Sequence, residues 1–225
     1  MRMRGDMTCF HEPFGEAWYQ GDDALWPRLK PGSPRQPGLT SQTVLDKLLQ
    51  AANERIVFSK DMPQFTDHLW SDEFLSNFTH TFIIRDPAKV LTSVFRNEPD
   101  FVMKEFGFIE QRKLFDRLIG QNNKTPPIID SDDLLENPAS MVEAYCEAVG
   151  IPFIPEALSW EPGDRDDVLW YDQKQVWHAE LKKSDGLKAQ PPKHVDISNA
   201  PDKAKEFYDI VLPHYEYLYQ HRLTI

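Results

Sequence analysis

The sequence predicts an α/β fold in which a central, mostly parallel sheet is flanked by helices to give three layers. Short apolar, β-prone runs alternate with segments whose apolar residues recur at helical spacing. The runs end on charged residues, Glu12, Lys60, Arg85 and Asp130, where ligands bind in such sheets, beyond the carboxyl ends of the strands. The composition, 40% hydrophobic and 27% charged over 225 residues, supports a single globular domain with a real core.

Each element has a local reason. MTCF, from Met7 to Phe10, predicts a strand ending at His11, because Pro13 stops it. The stretch from Pro27 to Pro37 holds four prolines and a glycine and predicts an exposed loop. Ser41 is placed to cap a helix whose stripe is Val44, Leu45, Leu48, Leu49 and Ala52. RIVFS, Arg55 to Ser59, predicts a buried strand ending at Lys60 and Asp61, followed by a short helix around Ser71 to Asn77 and an apolar strand from Thr79 to Ile84. Asp86 and Pro87 form a cap and first-turn proline for a helix to Asn97, with a second helix near Ile109 to Ile119. Pro127 to Asp130 is a further strand, and Asn137 with Pro138 opens a helix stopped by Gly150. Residues 1–160 thus read as the sheet core and 161–225 as a loop-rich tail closed by a helix from Asp202 to about His221.

Charge and cysteine content narrow the partners. Net charge is −11, which repels nucleic acid and anionic membrane at long range, so any phosphate site must be built locally. Two cysteines, Cys9 and Cys146, cannot form a disulfide framework and point to a reducing cytoplasm. No signal peptide or membrane-length apolar run is expected.

The sharpest motif is FIIRDPAKVLTSVFR. Arg85 ends a strand, and Lys89, Ser93 and Arg96 share one stripe of the helix that follows, apart from its apolar face. Arg85 is a planar, permanently charged fork and Ser93 a hydroxyl donor; residue chemistry alone leaves carboxylate and phosphate equally open as their target.

This motif resembles the 3′-phosphate-binding segment of the sulfotransferases that use 3′-phosphoadenosine 5′-phosphosulfate, with an arginine eight positions before a serine, as Arg85 and Ser93 stand here. FSKDMPQF from Phe58 resembles the family's lysine-containing segment, and the chain from Ile128 to Phe153 resembles its later strand, acidic pair and helix. The resemblance implies a P-loop-related fold and transfer of a sulfuryl group to a hydroxyl or amine of a small-molecule or carbohydrate acceptor, without a metal. It implies cofactor-binding roles for Arg85 and Ser93, with Lys89 and Arg96 beside them, and a charge-stabilising role for Lys60. HEPF resembles the segment in which a glutamate acts as general base, which makes Glu12 the first candidate and His11 an alternate. Many members place a histidine two residues after the lysine, but Met62 stands there.

Two departures are expected to matter. No phosphosulfate-binding loop is present, no two of the ten glycines stand five apart, and MRMRGD resembles the tail of the helix that should follow that loop. The first strand and P-loop are therefore read as missing, either by truncation or because this is a degenerate relative that binds nucleotide or a protein partner without catalysis. Asp130 and Ser131 stand where a stacking tyrosine often precedes the acidic pair. Further candidates are the basic loop Lys182 to Lys193 as a phosphate cover; Trp160, Trp170, Tyr171, Trp177 and His178 as acceptor walls or tail core; His68 as an alternate base; and a metal set from Asp61, Asp67, His68 and Asp72, or from Asp130, Asp132 and Asp133, lacking any recognised ligand spacing.

Overall fold

In the computed structural model, which describes residues 1–122, 124–163 and 179–225, the elements run β1 (Met7–His11), α1 (Pro13–Gln20), α2 (Ser41–Ala52), β2 (Ile56–Lys60), α3 (Asp72–Ser76), β3 (Phe82–Ile84), α4 (Pro87–Asn97), α5 (Phe108–Asn122), β4 (Ile128–Asp130), α6 (Ser131–Glu136), α7 (Pro138–Val149), α8 (Ala179–Lys183) and α9 (Asp202–Tyr219). They gather into two compact units, Met1–His68 with Glu156–Gly186, and Leu69–Pro155 with Leu187–Ile225.

In the first unit β1 and β2 pair in parallel, Met7 opposite Ile56 and His11 opposite Lys60, so their carboxyl ends lie side by side. A parallel pair requires a long crossover, and here it carries α1, the proline-rich loop and α2. α2 starts where the sequence places it, but Thr40 rather than Ser41 is its cap. The Thr40 hydroxyl accepts the Thr43 N–H at 3.1 Å, and the Thr43 hydroxyl accepts the Thr40 N–H at 2.9 Å. α1 departs from the sequence reading, because Pro13 both stops β1 and opens a helix, occupying a first-turn position where no N–H is needed. It buries Phe14, Ala17 and Trp18, with the Trp18 ring 5.2 Å from that of Phe65. Gly15 admits that packing, since a Cβ there would lie 2.7 Å from the Phe65 ring. In the tail, expected to be irregular, α8 is present, Ser159 bridges Gly186, and Trp160 donates its indole N–H to Ser184 Oγ at 3.1 Å.

In the second unit β3 and β4 pair in parallel from Phe82 opposite Ile128 to Ile84 opposite Asp130. Only three residues of the strand expected over Thr79 to Ile84 are strand, because β4 offers only three partners. α4 is capped as the sequence predicts, Asp86 accepting the Ala88 N–H at 2.8 Å with Pro87 in the first turn. Its Leu91 and Phe95 form a core with Phe106, Phe108, Ala200, and Ala204 and Val211 of α9. Phe115 of α5 is fully buried and meets Phe82 edge-on at 5.7 Å. α7 ends at Gly150, whose φ of 75° is the left-handed geometry that glycine tolerates.

The architecture is therefore mixed α/β with small parallel sheets flanked by helices. The expected central sheet is corrected: among the described residues the strands form two two-stranded sheets. Each strand has one neighbour, so Ile56 and Ile83, in runs expected to be buried, are 53% and 54% exposed. Both cysteines are free; Cys146 is buried and Cys9 half-buried. No helix among the described residues is long and apolar enough to cross a membrane.

α6 is absent from the sequence reading, and Asp130 explains it. This carboxylate, 1% exposed, caps α6 through the Asp132 and Asp133 N–H groups at 2.8 and 3.4 Å and accepts the Tyr215 hydroxyl at 3.0 Å. Burial raises its pKa, while the hydrogen bonds from Asp132, Tyr215 and Asp133 favour the charged form. Tyr215→Phe removes one donor and is expected to cost about 1–3 kcal/mol of stability. The Tyr215 hydroxyl favours the charged carboxylate, so the loss should grow as pH rises through the elevated pKa of Asp130, as denaturant titrations across pH would show.

Candidate active site

Four of the sequence candidates meet at the carboxyl ends of β1 and β2. His11 and Lys60 are cross-strand partners. The Lys60 ammonium is ion-paired with the Glu12 carboxylate, and the Glu12 N–H donates to the Lys60 carbonyl at 2.6 Å. Lys60 is 40% exposed at the side chain while Glu12 is 8%, so the cation is reachable and the carboxylate is largely shielded from water. Met62, which stands in place of a histidine, contacts the Lys60 Nζ through its sulfur at 3.8 Å. Beside these strands a cavity of about 210 Å³ is lined by Met1 and Arg2, by Cys9, Phe10 and His11 of β1, by Phe58 and Lys60 of β2, and by Leu181. Its walls are mainly apolar, with the cations of Arg2 and Lys60 and the His11 imidazole among them.

The backbone forces this pairing. Glu12 has φ 48° and ψ 48°, the only non-glycine residue with positive φ among those described. Glutamate rarely adopts that left-handed conformation. It turns the chain from β1 into α1 within a single residue, and the Glu12 carbonyl accepts the Glu16 N–H at 3.1 Å.

Asp61 is the fourth group, named in the sequence only as a strand end and possible metal ligand. Its carboxylate accepts the Phe14 N–H at 3.0 Å and the Ser59 hydroxyl at 2.8 Å. Burial pushes its pKa up to about 7; the Ser59 hydrogen bond opposes this, the Glu12 charge adds to it, and Lys60 and the Phe14 N–H lower it. The folded protein therefore holds a proton here that the unfolded chain gives up near pH 4. Stability from this group is full below that pH and declines as pH rises toward 7. Asp61→Asn, which keeps an acceptor for Phe14, is expected to gain in Tm relative to the parent between pH 4 and 7, with a constant difference above.

The cofactor-binding candidates lie in the second unit. Arg85 follows β3 directly and is exposed, as are Ser93 and Arg96 on α4. Among the described residues these three side chains have no hydrogen-bond or ion-pair partner. Lys89 differs: it is buried, and its ammonium lies 2.5 Å from the Asp132 carboxylate. The structure thus leaves Arg85, Ser93 and Arg96 open to solvent and commits Lys89 to holding α4 against α6. Asp133 is likewise engaged, with Arg222 at 2.6 Å. With Asp130 capping α6, the second metal set is spent on structural bonds, and among the described residues no group of three or more His, Cys, Asp or Glu could hold a metal ion. His68 is tied to α2 through Ser41 Oγ at 3.2 Å. Trp170, Tyr171, Trp177 and His178 lie outside the described residues.

Residues 3–215 match the model of the sulfotransferase domain family, and the chain belongs to that family. Its similarity to the Arabidopsis thaliana branched-chain-amino-acid aminotransferase-like protein 2 is 32% identity over 123 residues, 54% of this chain and 21% of that protein. Aminotransferase-like protein 1 of the same plant is 25% identical over 150 residues, 63% of this chain and 26% of that protein. The chain spans about a fifth to a quarter of the length of these curated relatives. Among solved structures, the sulfotransferase domain from the curacin biosynthetic pathway aligns over 77% of this chain and 68% of its own, with TM-score 0.42 and 14% identity.

Proposed function

We propose that this chain is a sulfotransferase that moves a sulfuryl group from 3′-phosphoadenosine 5′-phosphosulfate to the hydroxyl or amine of a small-molecule or carbohydrate acceptor. The observation that carries the reading is the Lys60–Glu12 ion pair at the adjoining ends of two parallel strands, within a chain of the sulfotransferase domain family. It supplies, at one point, the two charges the reaction uses.

Sulfuryl transfer requires alignment of acceptor and leaving group, neutralisation of charge on the transferring oxygens, and removal of the acceptor proton. In this proposal the acceptor oxygen or nitrogen forms a bond to sulfur as the bond from sulfur to the 5′-phosphate oxygen breaks. The acceptor proton passes to the Glu12 carboxylate, and the leaving 3′,5′-adenosine bisphosphate takes the electron pair with its charge met by Lys60. The ion pair is then a resting state. Sulfuryl oxygens compete for the exposed ammonium, and a carboxylate released from its counter-charge in a shielded site becomes a stronger base. Arg85 and Ser93, exposed and unpartnered among the described residues, hold the 3′-phosphate, with Arg96 available to the same anion. Lys89 orients the helix that presents Ser93 rather than touching the donor. His11 takes the place of Glu12 if the acceptor approaches from the cavity side.

The test is incubation with the donor and a panel of phenols, alcohols, amines and sugars, read by mass spectrometry. Sulfated product dependent on Glu12 and Lys60 is the expected result. Bisphosphate binding with no product from any acceptor would assign a nucleotide-binding role without catalysis.

A further inference from the structure

α1 begins in an unusual way. The residue at its cap position, Glu12, makes no capping bond to its own helix, because its carboxylate is turned to Lys60. Pro13 brings no N–H, so the first donor of the helix is the Phe14 N–H, and this donor is met from another element, by Asp61 Oδ1 at 3.0 Å. The other oxygen of Asp61 is fixed by Ser59 Oγ at 2.8 Å, one residue before Lys60. A cap contributed by the end of β2 thus does what Glu12 would otherwise do, while Glu12 keeps its carboxylate for the lysine.

We propose that Asp61 is a positioning residue for the Glu12–Lys60 pair: by capping α1 in place of Glu12 it holds the left-handed Glu12 linkage, and with it the carboxylate, against the Lys60 ammonium. The catalytic consequence rests on the sulfotransferase reading, but the positioning itself does not. The groups acting on Asp61 are Ser59 and the Phe14 N–H by hydrogen bond and Glu12 and Lys60 by charge. Ionised Asp61 places a negative charge beside the pair, which makes Glu12 a better proton acceptor. Asp61 titrates near pH 7, so turnover should rise with pH through that region.

Two measurements test this, one independent of catalysis. Lys60 acylation by an amine-reactive ester, followed residue by residue by peptide mass spectrometry, reports whether the ion pair persists. Severalfold faster Lys60 labelling is expected in Asp61→Ala, matching Glu12→Gln, with protection restored in Asp61→Asn, which retains an acceptor for Phe14. Unchanged Lys60 labelling in a folded Asp61→Ala, with Glu12→Gln raising it, overturns the proposal. So does loss of protection in Asp61→Asn equal to that in Glu12→Gln, a comparison that stands even if the alanine variant fails to fold. In the transfer assay, Asp61→Ala should lose at least about tenfold in kcat with donor KM little changed, and Asp61→Asn should lack the rise of kcat through pH 7. A rise equal to the parent's contradicts the catalytic part. If the parent transfers no sulfuryl group, the sulfotransferase reading fails while the labelling result still decides whether Asp61 positions the pair.

Discussion

Replacing Lys60 by methionine, which keeps the aliphatic stem and removes the charge, is expected to lower kcat for sulfuryl transfer about a hundredfold to a thousandfold, the loss typical when one preorganised charge-stabilising donor is removed. The donor KM should change far less, because Lys60 acts on charge that grows on the sulfuryl and leaving-group oxygens as the bond breaks. The Glu12 carboxylate, 8% exposed, would lose the Lys60 charge, so the assay belongs well below the variant's Tm. Glu12→Gln separates the two roles. It should also depress kcat, but acceptors with more acidic hydroxyls should recover part of the loss, since they need less help with the proton. A methionine variant with parental kcat would remove Lys60 from the mechanism.

Arg85→Ala is expected to have the larger effect on binding. A guanidinium–phosphate contact is charge-assisted and often bidentate, worth about 1.5–3 kcal/mol, so affinity for 3′,5′-adenosine bisphosphate should fall about tenfold to a hundredfold. Its exposed side chain has no partner among the described residues, so the substitution should leave Tm without ligand nearly unchanged. The ligand-induced rise in Tm should then shrink at every bisphosphate concentration. Ser93→Ala should give a smaller loss in the same direction. An Arg85→Ala protein stabilised as strongly as the parent would show that the phosphate is held elsewhere.

The ends of β1 and β2 were legible because Met7 to His11 and Ile56 to Lys60 are apolar runs stopped by charge and proline, and α4 because Asp86 and Pro87 form a strong start signal. α1 was hidden because one proline serves as strand stop and helix opener, and α6 because its cap, Asp130, belongs to the strand before it. Strand partnership is not a local property: MTCFH and IVFSK read as strands of a sheet without stating how many neighbours each would have, and the exposure of Ile56 and Ile83 follows from that number. At the site, each residue type was legible but not its engagement. Glu12 and Lys60 stand 48 residues apart, and only the parallel register brings them together. Lys89 shares a helical stripe with Ser93 and Arg96, yet the acid at Asp132 draws its ammonium inward, which periodicity on one helix cannot reveal. Asp61 reads as a strand end and no more, because the donor it satisfies, the Phe14 N–H, belongs to the helix the sequence conceals.

The central claim, that Arg85 and Ser93 grip the 3′-phosphate of a sulfuryl donor's nucleotide, is tested most directly by calorimetric titration with 3′,5′-adenosine bisphosphate and, in parallel, adenosine 5′-monophosphate. The account predicts saturable binding of the bisphosphate, at least about tenfold weaker binding of the monophosphate, and loss of that difference in Arg85→Ala. Equal affinity for the two nucleotides, or a preference that survives in Arg85→Ala, would contradict it.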